Sequence, residues 1–152
     1  MATQNLFNYE TSNYCLTITG DHILCPGAPK HTNTIIVKGV QFRQAASVLL
    51  DEGYTIQKID SNYFTVKTDF RKVPKTSLSM FISLRIKDSI CTIMGSLKFS
   101  AEKDESAVDI FNASGGAKEC FHQMDQFAKS LKGSEVSYKI DSSRRYKVFQ
   151  SM

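Results

Sequence analysis

The sequence predicts an α+β domain: a mostly antiparallel sheet with two helices packed on one face, preceded by a small N-terminal hairpin. Two segments repeat apolar residues at the three- and four-residue steps of a helix, and the segments around them alternate polar and apolar residues as half-buried strands do. The length of 152 residues also suits one domain with a hydrophobic core. The predicted order is β-α-β-β-β-β-α-β. Two helices with single apolar stripes would cover one sheet face and leave the other to solvent or to a partner.

Three parts are expected along the chain. Residues 1–30 form an N-terminal extension, in which a glycine turn would place Cys15 opposite Cys25 in a hairpin. Residues 31–141 form the α+β domain, and residues 142–152 form a polar C-terminal tail.

The first half of the domain opens with a strand over 34–38 and a helix over 42–52. Gly53 follows the helix where a left-handed C-cap is needed, a backbone conformation that glycine adopts at little cost. Strands over 54–58 and 63–68 then form a hairpin around a polar turn. The apolar face predicted for the helix is Phe42, Ala45, Ala46, Leu49 and Leu50.

The second half contains the clearest strand, 79–87, followed by a strand over 90–99. In the first of these, Phe81 breaks the alternation because it lies among the polar residues. A charged loop leads to the second helix, and a last strand over 135–140 is expected to join the sheet edge. The apolar stripe predicted for this helix is Ala117, Cys120, Phe121, Met124, Phe127, Ala128 and Leu131.

Composition narrows the class of protein without naming it. Hydrophobic residues make up 41% and charged residues 22%, which is ordinary for a globular domain, and the net charge of +4 is mildly basic. No run of 18 or more apolar residues is present, so no membrane-spanning segment is expected. The start of the chain lacks the basic and apolar regions of a signal peptide.

No catalytic, metal or cofactor site is predicted, and we expect a protein that is not an enzyme. Glu119 and His122 lie one helical turn apart, but zinc needs three or four convergent ligands. No nucleophile has a base at a recognisable spacing. Ser114-Gly115-Gly116 lies before a predicted helix, where exposed amides can bind an anion, but it lacks the known phosphate-binding motifs, and capping is the favoured explanation.

The four cysteines permit two interpretations. They form no paired metal motif, and an even number allows two disulfides in a secreted protein, for which Cys15–Cys25 and Cys91–Cys120 are the pairs considered. Buried thiols in a reducing compartment are the alternative.

The exposed sheet face is the predicted binding surface, with Tyr63, Phe81, Arg85 and Lys87 as its candidate residues. The partner would be an unknown protein or small ligand. Nucleic acid is the alternative, because aromatic and basic side chains on a sheet stack and neutralise nucleotides. The acidic residues, however, are not segregated from the basic ones along the chain, and no RNA-binding motif is present.

Residues 34–60, which end in a Gly-Tyr-Thr-Ile strand and an aspartate turn, resemble uncharacterised secreted domains and lipoproteins of the Bacteroidetes. The later helix followed by Val136-Ser137-Tyr138 is also similar, so the resemblance covers about residues 34–140. It implies a fold like the TATA-binding-protein or BamC-type domains, and a periplasmic or cell-envelope binding or assembly-supporting role. It supplies no active-site residue. A membrane association is expected only through a lipid anchor, and the sequence at hand predicts none.

Overall fold

The computed structural model describes residue 28 and residues 31–99, 105–108 and 115–144. These residues form an antiparallel sheet with two α-helices, so the α+β fold class is confirmed. In chain order the elements are β1 (Thr34–Lys38), α1 (Phe42–Asp51), β2 (Ile56–Asp60), β3 (Thr65–Thr68), β4 (Arg71–Lys72), β5 (Leu78–Lys87), β6 (Ile90–Phe99), β7 (Ser106–Ala107), α2 (Gly115–Ser130) and β8 (Glu135–Lys139), followed by a 3-10 turn (Ser142–Arg144).

The sheet places its strands in the order β2-β3-β5-β6-β1-β8, and every neighbouring pair is antiparallel. The long β5–β6 hairpin forms its centre and is paired along the whole length of both strands, from Leu78↔Phe99 to Lys87↔Ile90. The chain crosses the sheet twice, from β1 through α1 to β2 and from the β6–β7 side through α2 to β8. Those two crossings bring both helices over the sheet.

The helix-covered side of the sheet contains the hydrophobic core. The alternation predicted for β5 is confirmed, since Met80, Ile82, Leu84 and Ile86 are all buried. The register places Leu84 against Ile93 and Ile35 against that same Ile93, so neighbouring strands contribute to one layer. Apolar alternation along a strand favours this arrangement because one sheet face must leave water.

Helix α2 packs most closely on the sheet, and all seven residues of its predicted stripe are buried. It crosses β6 at Gly95, where a Cβ atom would lie 2.5 Å from Met124 Sδ. Its first turn lies over Leu78, because a Cβ on Gly116 would be 2.7 Å from Leu78 Cδ1. The glycines at these two positions therefore allow a close approach of helix and sheet.

Helix α1 lies beside the C-terminal end of α2 and buries a narrower stripe than predicted. Ala45 and Leu49 are buried, but Leu50 is 57% exposed. The two helices are joined by Gln44 Nε2, which donates to the Leu131 carbonyl at 2.8 Å, and by Ser130 Oγ, which donates to Glu52 at 2.6 Å. Because α1 is the outer of the two helices, Leu50 points away from the core.

A buried polar contact ties α2 to strand β8. Asp125 is fully buried and accepts hydrogen bonds from Tyr138 Oη at 2.7 Å and from Lys129 Nζ at 2.6 Å. A buried carboxylate is tolerated only when it is paired and hydrogen-bonded. This contact fixes β8 under the helix, and the prediction that the last strand joins the sheet edge is confirmed by its pairing with β1.

Two short strands were not predicted. Arg71 and Lys72, expected in a polar connection, form β4 against β5, and Ser106–Ala107 form β7 against β6. Two-residue strands have no measurable periodicity, so the sequence pattern could not reveal them. The left-handed backbone predicted at Gly53 is confirmed by its φ of +79°. The predicted N-terminal hairpin, with Cys15 and Cys25, and most of the C-terminal tail lie outside the described residues.

Candidate binding surface

The side of the sheet that faces away from the helices is called here the open face. Strand alternation and register define it, and the pairs Lys58↔Lys67, Ser83↔Met94 and Thr34↔Lys139 form one continuous row across it. Its central strands contribute Ser79, Phe81, Ser83, Arg85 and Lys87 from β5, and Ile90, Thr92, Met94, Ser96 and Lys98 from β6.

The open face collects basic residues, although the chain as a whole is only mildly basic. Its strand positions include two acidic residues, Asp60 and Glu135. They therefore carry eight of the 19 basic residues but only two of the 15 acidic ones, a net charge of +6 compared with +4 for the entire chain. The eight basic residues are Lys38, Lys58, Lys67, Lys72, Arg85, Lys87, Lys98 and Lys139.

Most of these cations form no ion pair with the acidic residues that the structure describes. Lys38 Nζ lies 2.8 Å from Glu135 Oε2, and it is the only one of the eight to form an ion pair within the described ranges. Asp60 instead accepts hydrogen bonds from the backbone N–H groups of Asn62 and Tyr63, which stabilises the β2–β3 turn. A surface with one dominant sign of charge attracts oppositely charged molecules over a distance of about one Debye length, about 8–10 Å in physiological salt.

Phe81 lies on the open face, as its place in the alternation predicts, but its ring is largely covered. It is 7% exposed and packs edge-on against Phe70, with ring centroids 5.0 Å apart. Lys67 Nζ lies 4.3 Å from the centroid of Phe81, and Lys98 Nζ lies 4.1 Å from that of Phe70. Each ring therefore already interacts with a cation. Phe81 supports the surface from below and offers little area for contact.

A groove of about 600 Å³ lies where the β2–β3 turn, the β5–β6 turn and the start of α1 meet, and it is called here the end groove. Three of the four residues predicted for the binding surface, Tyr63, Arg85 and Lys87, line it, whereas Phe81 does not. The remaining lining residues are Val40, Gln41, Phe42, Asn62, Phe64, Ile86, Asp88 and Ser89.

The aromatic wall of the end groove is held in an unusual backbone conformation. Phe64 has a φ of +50°, a region that bulky residues rarely occupy. Two contacts maintain it: the ring packs edge-on against Phe42 at 5.8 Å, and the carbonyl accepts the N–H of Ile86 at 2.9 Å. Phe64 nevertheless remains 51% exposed, and the neighbouring Tyr63 is 72% exposed. Sequence reasoning missed Phe64 because it assigned this residue to the interior of a strand.

The other chemical features considered from the sequence are the Glu119 and His122 pair, the cysteines and the Ser114-Gly115-Gly116 segment, of which Ser114 lies outside the described residues. No group of three or more metal-ligating side chains comes together in the part of the chain that the structure describes. Glu119 accepts a hydrogen bond from Gln123 at 3.2 Å, one helical turn away. Cys91 and Cys120 are buried and free, and burial raises the pKa of their thiols to about 12 and about 11. Protonated buried thiols are poor nucleophiles and poor ligands.

These features define an α+β domain with one helix-covered sheet face, one basic open face and a groove at the end of the sheet. Neither of the two described helices is long and apolar enough to cross a membrane. No protein-family model matches the sequence, and no curated protein shows significant similarity to it. The likeness to Bacteroidetes secreted domains therefore stays a prediction.

Proposed function

We propose that this chain is a non-enzymatic binding or assembly-supporting domain that docks an anionic partner on its open face. The observation that carries the proposal is the separation of charge, with eight basic and two acidic residues on that face. Flat sheet surfaces bury area against a partner without forming a cleft, and opposite charge aligns the two surfaces and speeds their encounter. A location in the cell envelope belongs to the same proposal and is supported by the resemblance alone.

A charge-reversal experiment on heparin, used as a polyanion probe, tests the proposal. We expect the Lys58→Glu/Lys72→Glu/Lys139→Glu variant to lose retention at salt concentrations that hold the original protein. Because three contacts between cations and the polyanion are lost, affinity should fall about tenfold or more. The salt dependence of binding should become weaker for the same reason. The measurements are the eluting salt concentration and the slope of affinity against salt.

The matched control is Arg43→Glu/Lys118→Glu/Lys132→Glu, which makes the same change in net charge at exposed positions outside the open face. Its retention should fall much less than that of the open-face variant. Equal losses in the two triple variants would show that only net charge matters, and failure of the original protein to bind heparin at low salt would remove the basis of the proposal.

Nucleic acid is a second candidate partner, favoured by the same basic surface. The buried ring of Phe81 and the half-buried ring of Phe70 argue against base stacking as its mode of recognition, since each ring already has a lysine beside it. Binding of nucleic acid would then depend on its phosphates. If the open face recognises charge alone, the protein should bind oligothymidylate and inorganic polyphosphate of matched charge with equal affinity. A strong preference for the oligonucleotide would favour nucleic acid as the partner.

A further inference from the structure

The end groove differs from the open face in shape and chemistry, although Arg85 and Lys87 belong to both. The open face is a broad array of strand side chains, whereas the end groove is a concavity of about 600 Å³ formed by three separate connections. That volume lies in the range of small-molecule sites in proteins, about 300–1,000 Å³.

One wall of the end groove is aromatic and partly accessible. Tyr63 and Phe64 are largely exposed and Phe42 is half-buried, whereas the lining residues Val40 and Ile86 are buried and add little surface. Exposed aromatic side chains lose contact with water when an apolar ligand group covers them, which stabilises a complex by about 25 cal/mol per Å² of apolar area buried. The strained backbone of Phe64 keeps its ring at the groove and not in the core.

The other wall carries positive charge. Arg85 and Lys87 are exposed, and neither forms an ion pair with any residue that the structure describes. Asp88 is the single acidic residue of the lining, so the lining retains a net charge of +1. A guanidinium and an ammonium on one side of an apolar concavity complement a ligand with one anionic group.

We propose that the end groove binds a small amphiphilic anion, a molecule with one aromatic ring or short alkyl chain and one carboxylate or sulfonate group. Arg85 and Lys87 bind the anionic group, while Tyr63 and Phe64 cover the apolar part. This site does not depend on polyanion binding by the open face, and either proposal can fail without the other.

A pair of fluorescent probes tests the site. 1-Anilinonaphthalene-8-sulfonate has an aromatic body and a sulfonate, and N-phenyl-1-naphthylamine has the same aromatic body without the charge. We expect one bound sulfonate probe per chain, with an affinity about tenfold higher than that of the neutral probe. Amide chemical shifts should change at residues 62–64 and 85–89. Shifts spread over the open face, or equal affinities for the two probes, would overturn the proposal.

Variants separate the two walls. Arg85→Gln/Lys87→Gln should abolish the preference for the sulfonate probe but leave binding of the neutral probe. Tyr63→Ser should weaken both probes, and it should fold normally because this side chain is largely exposed. Phe64→Gly should also weaken binding of both probes, because it removes the ring. The variant should keep its fold, since glycine accepts the positive φ at this position.

The charge-matched control is Lys58→Gln/Lys139→Gln, which removes two cations of the open face that do not line the groove. It should retain the affinity for the sulfonate probe while weakening retention on heparin. A loss of probe affinity equal to that of the Arg85→Gln/Lys87→Gln variant would show a general effect of charge and would refute a site in the end groove.

Discussion

At the scale of single residues, Phe81 shows how position in a strand differs from exposure. Alternation correctly places it on the side opposite Met80, since the side chains of a strand point to the two faces in turn. The side chains that cover its ring belong to other segments of the chain: Phe70 precedes β4, and Lys67 belongs to β3. No local pattern could predict that cover, so the sequence suggested an exposed contact residue where the structure has a supported ring.

Substituting serine for each of the two predicted aromatic surface residues should therefore affect stability very differently. Phe81→Ser removes a 7% exposed ring from its contacts with Phe70 and Lys67, and should lower the free energy of unfolding by about 2–4 kcal/mol. Tyr63→Ser should change it by less than about 0.5 kcal/mol. Urea denaturation of both variants measures the difference. Similar stabilities would contradict the packing described for Phe81.

At the scale of secondary-structure elements, long periodic segments were predictable and short or peripheral ones were not. The stripe of α2 repeats over four turns, and every member predicted for it is buried. In α1, the outer helix, the same reasoning included Leu50, which the structure leaves exposed. A sequence shows how wide an apolar stripe is, but the width that becomes buried depends on how many neighbours the helix has.

The passage from α2 to β8 depends on Gly133, which lies against β1. A Cβ atom at this position would overlap the Val37 side chain and the Lys38 carbonyl. Gly133→Ala should therefore lower the free energy of unfolding by about 1–3 kcal/mol through overpacking.

Gly115 provides the matched control, because a Cβ there meets nothing within 4 Å. Gly115→Ala should leave stability unchanged or raise it by up to about 1 kcal/mol, since alanine is the better helix former. Thermal unfolding of the two single variants compares them. A Gly133→Ala variant as stable as Gly115→Ala would contradict the close approach of this connection to β1.

At the scale of the whole molecule, the fold class could be predicted and the candidate site only in part. Tyr63, Arg85 and Lys87 could be named as candidates because aromatic and basic residues on the polar side of a predicted strand are visible in the sequence. Their meeting in one groove requires that three connections, distant in sequence, lie at the same end of the sheet. The charge separation likewise depends on register, including the irregularity between Ile56 and Lys58 that places Lys58 on the open face.

The stability of the whole molecule should fall at alkaline pH because three buried groups resist ionisation. Burial raises the pKa of Cys91 to about 12 and of Cys120 to about 11, from a value of 9.0, and it also raises the pKa of Tyr54. In the unfolded chain the thiols ionise near pH 9, so the stabilisation that they provide is complete below that pH. It is lost as pH rises from about 9 towards about 12, by up to about 1.4 kcal/mol per pH unit for each thiol.

Denaturant unfolding between pH 7 and pH 11 measures this dependence. The Cys91→Ala/Cys120→Ala variant should be less stable at neutral pH, because it leaves cavities, and should lose stability less steeply above pH 9. Parallel curves for the two proteins would show that the thiols do not cause the alkaline loss.

The two ends of the described sheet, β2 and β8, carry Lys58 and Lys139. Lysine on an outermost strand discourages a second copy from adding to the ladder, since like charges would meet where the backbones tried to pair. A polyanion spread over these side chains would cancel that repulsion. Under the proposed function, binding of a polyanion would therefore favour edge-to-edge association of two copies, which these lysines otherwise oppose.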